Sequence, residues 1–168
     1  ENVNGEWQGG MCALPLPQFP TGVSRGRFNP EDGQLYCCGM FAWAGNQTAP
    51  GGFYRIRYTG KPVQLPVELH AMRKGVSIKL SGEVDSKSAT NPENYAVKIW
   101  GLKRSEKYGS KHIDERTLKV TSAKLSADNK TIELQIEGIE ATWGMEIKYS
   151  FLAADGKKFS SVIHNSIF

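Results

Sequence analysis

The sequence is poor in the residues that build compact chemical centres. It holds three cysteines, Cys12, Cys37 and Cys38, and no Cys-x-x-Cys pair. That spacing argues against structural zinc and thioredoxin-like chemistry. The three histidines, His70, His112 and His164, lie far apart, and no short His-x-His spacing forces a metal site. No Gly-x-Ser-x-Gly elbow marks a serine nucleophile. No apolar run approaches the roughly 18 residues that a membrane span requires. Sustained helical periodicity is also missing. "SKSATNPENY" has room for a single turn, with Ser88 as its cap and Pro92 as its end. The sequence therefore predicts no metal, no cofactor, no catalytic residues and no membrane span.

Charge is mixed rather than one-sided. Lys and Arg total 21 and Asp and Glu 17, a net charge of +4. The signs alternate along strand-like runs, and the densest basic stretch, "GLKRSEKYGSK", is broken by Glu106. That pattern is a solvated face rather than a nucleic-acid footprint, so no nucleic-acid partner is expected. The chain begins at Glu1 without a leader, and reads as a processed chain or a piece of a larger one, so this start says nothing about its native address.

What is present is alternation of period two. "GVSIKLSG" places Val76, Ile78 and Leu80 on one face, and "NYAVKIWG" does so with Tyr95, Val97 and Ile99. "KTIELQIEG" adds Ile132, Leu134 and Ile136; a further run adds Met145, Ile147, Tyr149 and Phe151, with a return strand through Phe159 and Ile163. "TLKVTSAKLS" reads as one strand whose phase shifts near Thr121 and Ser122, the mark of a bulge. "SADNKT" and "AADGKK" carry hairpin-turn chemistry. With "PVELHAM" this makes about seven short strands, each with one apolar face, as an antiparallel β-sandwich requires.

Upstream, residues 1–21 are rich in Gly and Pro and read as an irregular lead-in. Three strand-like runs follow, "GVSRGRF", "QLYCCGM" and "GGFYRIRYTG", the first two joined by the turn Asn-Pro-Glu-Asp-Gly. Gly60, Pro62 and Pro66 mark a boundary. The expected division is residues 1–60, lead-in and partial blade, and residues 61–168, the sandwich. Neighbouring residues on a strand face opposite sides, so one of Cys37 and Cys38 is expected in a core. The other either meets Cys12, or all three are buried thiols acting as small apolar residues.

Particular stretches resemble known families. "LSGEVDSKSATNPENYAVKIW", "KVTSAKLSADNKTIELQIEGI", "MEIKYSFLAADGK" and "IHNSIF" resemble a bacterial Ig-like domain, of the type found toward the C-terminus of large secreted or periplasmic proteins. "FPTGVSRGRFNPEDGQLYCCGMFAWAGNQTAPGGFYRIRYTG" resembles the closing blade of a β-propeller, similar to those of soluble quinoprotein sugar dehydrogenases that accompany c-type cytochromes. The resemblance implies an all-β fold, an Ig-like antiparallel sandwich preceded by a hairpin or blade fragment. It also implies a periplasmic or extracellular location and upstream domains of a parent protein as partners. One blade encloses no propeller channel, and the haem motif Cys-x-x-Cys-His is missing. The expectation is therefore a non-catalytic accessory module, with a fragment of a propeller-type sugar dehydrogenase as the alternative.

The stretch that invites a ligand is "WGLKRSEKYGSKHIDERT", residues 100–117, longer than a sandwich turn needs. Trp100 follows inward Ile99 and so points outward. Tyr108, His112 and Asp114 follow it. An aromatic ring beside polar groups suits carbohydrate or protein recognition. The competing reading packs Trp100 beneath its own loop. Trp43 and Trp143 read as local packing.

Overall fold

The structure, a computed structural model, describes residues 2–3, 5–7, 9–41 and 48–168, with backbone alone at 2–3 and 6–7. Trp43 and Asn46 lie outside the described residues, as does the side chain of Trp7. Among the described residues, fourteen strands run in chain order. They are β1 (Asn2–Val3), β2 (Glu6–Trp7), β3 (Gly10–Cys12), β4 (Arg25–Phe28), β5 (Leu35–Met40), β6 (Gly51–Ile56), β7 (Pro66–Met72) and β8 (Gly75–Leu80). After a short helix, α1 (Ser86–Ala89), come β9 (Tyr95–Lys103), β10 (Lys111–Leu118), β11 (Val120–Leu125), β12 (Thr131–Ile136), β13 (Thr142–Leu152) and β14 (Lys158–Ile167). No described helix is long and apolar enough to cross a membrane.

The chain forms two compact units: residues 1–14 with 63–168, and residues 15–62. The first is a β-sandwich. One sheet has the order β11-β12-β8-β7 and the other β10-β9-β13-β14-β3, all antiparallel. With β7 to β14 lettered A, B, C, C′, D, E, F and G, the sheets read D-E-B-A and C′-C-F-G. That is the immunoglobulin arrangement, with one strand beyond C and β3 added beyond G. The apolar faces predicted from alternation meet in one core. Val76, Ile78, Leu80, Val97, Ile99, Ile132, Leu134, Met145, Ile147, Tyr149 and Phe151 are all buried.

Three local expectations change. "TLKVTSAKLS" is two strands. The chain leaves the five-stranded sheet at Leu118, exposes Lys119, and enters the four-stranded sheet at Val120, with the expected bulge between Val120 and Ser122. The helical turn is capped by Asp85, whose carboxylate accepts from the Ser88 N–H at 2.8 Å, so Ser88 is a capped residue rather than the cap. Pro92 does not end that helix but opens a separate 3₁₀ turn, Pro92–Asn94, capped by Asn91. The lead-in is also not wholly irregular. β3 pairs with β14, Met11 opposite His164 and Cys12 opposite Ile163, so the first residues belong to the sandwich. The turn residues behave as their chemistry demands. Asn129 and Gly156 hold positive φ, 54° and 80°, in the turns before β12 and β14.

The second unit is a three-stranded antiparallel sheet of order β4-β5-β6. Its first turn has Gly33 at φ 66° and Asn29 accepting from the Glu31 N–H at 3.0 Å. All three cysteines are free; Cys37 is buried, Cys38 exposed and Cys12 half-buried.

Candidate functional site

The stretch expected to be a long loop is mostly a hairpin. β9 runs to Lys103 and pairs with Lys111 at the start of β10, leaving only residues 104–110 as the turn. Pairing sets His112 opposite Leu102, on the same outer face as Trp100. The two rings stack, with centroids 4.7 Å apart and planes 18° from parallel. Lys98 Nζ sits 5.5 Å from the centre of the indole and 3.2 Å from the Glu115 carboxylate. Glu115 reaches His112 Nδ1 at 3.4 Å, so one carboxylate anchors both the cation and the imidazole around Trp100. Its own pKa is lowered by the hydrogen bond from Lys98 first and from His112 second.

Trp100 is neither free nor enclosed. Its register partner on β13 is Gly144, and the indole lies where a side chain at 144 would stand; a Cβ there would overlap the ring. The missing side chain is what lets the tryptophan lie against the sheet. The ring is therefore held between His112 and Gly144 and half-exposed.

Of the four expected residues, Trp100 and His112 come together and the other two stand apart. Tyr108 is fully exposed in the turn. Asp114 sits in a bulge between Ile113 and Arg116 with φ 54°, and is bonded to neither ring.

Two residues that alternation alone does not reveal complete the site. Trp143 stands beside Gly144, 51% exposed, with the Phe168 ring edge-on at 5.7 Å. The Arg104 guanidinium lies over its ring at 5.1 Å, which ties the 104–110 turn to β13. His164, on β14, bonds to Glu146 at 3.3 Å. Glu146 also pairs with Lys148 at 2.9 Å, and its pKa is lowered chiefly by that contact. Together Trp100, His112, Trp143, His164, Leu102 and Met11 border an open depression of about 660 Å³ on the outer face of the five-stranded sheet. A sequence signal for Trp143 existed in "TWGM", where a bulky ring precedes a glycine. Only the β9–β13 register shows which tryptophan that glycine serves.

The depression offers indole faces, imidazole edges and the polar side chains of Asn165 and Ser166. Among the described residues, His112 and His164 each face a glutamate rather than a serine, threonine or cysteine. Among the described residues, no group of three or more His, Cys, Asp or Glu side chains gathers as metal ligands would. The chain matches no known protein family, no curated protein and no solved structure.

Proposed function

We propose that this chain is a non-catalytic binding module of a larger secreted or periplasmic protein, and that it takes a carbohydrate on the outer face of its five-stranded sheet. The observation that carries this reading is the pair of outward tryptophans. Trp100 is held flat by His112 and Gly144, and Trp143 is half-exposed beside it. A preorganised ring offers apolar area at little entropic cost, which suits the C–H face of a sugar. Asn165, Ser166 and the two imidazoles, which line the depression, supply acceptors and donors for hydroxyl groups. The faced histidine–glutamate pairs lack the nucleophile that a hydrolytic site of the serine type requires.

A glycan array probed with the whole chain, followed by calorimetry on the glycans retained, tests this. Binding is expected, with Trp100→Ala and Trp143→Ala each weakening it about tenfold or more, as loss of a central aromatic anchor does. Binding that both variants leave intact would remove the site.

A further inference from the structure

The net positive charge of the chain is concentrated in one small sheet. Residues 15–62 hold five cationic side chains, Arg25, Arg27, Arg55, Arg57 and Lys61, against two acids, Glu31 and Asp32. That is three of the four net positive charges on about a third of the chain. Register places most of them on one face. Arg27, Tyr36 and Arg55 are partners across the three strands, and so are Arg25, Cys38 and Phe53. The opposite face is the covered one. There Cys37 is buried, the Tyr54 hydroxyl bonds to Thr21 at 2.8 Å, and Phe19 packs on Tyr54 at 4.6 Å. Among the described residues of the unit, the arginine face carries no such cover: Arg25, Arg27, Arg55 and Phe53 are exposed, Phe53 to 71%.

The chemistry of this face is specific. Its cations are all arginines, whose planar forks suit bidentate contact with carboxylates. Arg27 and Arg55 flank Tyr36, so their Cα atoms lie about 10 Å apart across two strand spacings. Between them Tyr36 and Phe53 stack on each other, 5.9 Å apart and 29° from parallel. That gives a continuous apolar platform rather than a slot into which a base slides. At its rim Asp32 accepts from the Tyr36 hydroxyl at 2.8 Å and from the Gln34 N–H at 2.9 Å. A carboxylate beside the platform accepts hydrogen bonds from the free hydroxyls of a sugar ring, which a phosphodiester-linked chain largely lacks.

We propose that the arginine face of the three-stranded sheet is a second binding site, for an acidic polysaccharide whose uronate carboxylates meet Arg25, Arg27 and Arg55 while a sugar ring lies on Tyr36 and Phe53. The site shares no residue with the depression on the sandwich. The probe is polygalacturonate, titrated into the whole chain by calorimetry at about 0.15 M salt, where long-range steering is screened. Binding is expected, with R27Q/R55Q weakening it about tenfold or more, since each arginine supplies a charge-assisted pair. R27K/R55K, which keeps the charge and loses the fork, is expected to weaken it as well. All of these positions are exposed, so unchanged circular dichroism is expected of every variant. No binding, or binding that R27Q/R55Q leaves intact, overturns the proposal. So does undiminished binding by R27K/R55K, or tighter binding of oligothymidylate than of the polyuronate. Loss on Trp100→Ala instead of on the arginine variants moves the polyuronate to the sandwich and overturns the second site.

Discussion

At the scale of single residues, burial and pairing separate side chains that hold the fold from those that tune it. Leu134 is fully buried, between Val76 on β8 and Ala123 on β11. Leu134→Ala removes buried methyl groups and leaves a cavity that neighbouring strands cannot close. Urea unfolding is expected to show a loss of about 2–5 kcal/mol. Glu146 works differently. It faces Lys98 on β9, Lys148 on its own strand and His164 on β14, and these contacts lower its pKa, Lys148 most. A carboxylate whose pKa is lowered on folding adds stability above its unfolded value, and that stability is lost as pH falls through the folded value. The sandwich is therefore expected to weaken as pH drops below the ordinary glutamate range. Glu146→Gln should flatten that acid limb while changing neutral stability by about 1 kcal/mol or less, since the partners are largely solvated. Denaturation midpoints measured from neutral pH downward check the slope, and an unchanged acid limb would refute the pairing.

At the scale of elements, alternation told which residues are buried but not always which strands exist. The strands of the core were legible because each buries one face at period two: Val76, Ile78 and Leu80, or Met145, Ile147 and Tyr149. β10 was not, because every residue from Lys111 to Thr117 is exposed and an edge strand with two wet faces has no period. β3 was hidden for a related reason: three residues among glycines carry no pattern, and only their pairing with β14 makes them a strand. Trp100 and His112 could be placed on one surface from their own sequence neighbourhood. Trp143 and His164 could not, since they join it through the registers of β13 and β14. Gly144 is the hinge of that assembly. Gly144→Ala would put a methyl group into the Trp100 indole, and the ring must lift away. The expected result is a shifted tryptophan emission spectrum and weaker glycan binding, with the fold retained because an indole can rotate where a backbone cannot. Unaltered emission would show that the ring does not rest on Gly144.

At the scale of the whole molecule, the chain leaves the sandwich after β3, builds a small sheet from residues 15–62, and returns at Val63 to begin β7. The two units differ in what secures them. The sandwich has a continuous core drawn from both sheets, with nine large side chains almost wholly removed from water. In the small unit only Thr21 and Cys37 among the described residues are buried, and Phe28, Met40, Phe41 and Phe53 are exposed. Local stability follows buried apolar contact, and sheets of three strands with little core sit at the low end of it. Backbone amides of β4, β5 and β6 should therefore exchange with solvent well before those of β8, β12 and β13. Trypsin should cut first at Arg55 or Arg57, which are both exposed. Because the sandwich flanks this segment on both sides, such a cut would leave residues 1–14 held to the rest by β3 pairing with β14 rather than by the chain. Hydrogen exchange read by mass spectrometry, before and after a single tryptic cut, measures both effects. Equal protection of β4–β6 and of β8, β12 and β13 would overturn this ranking of the two units.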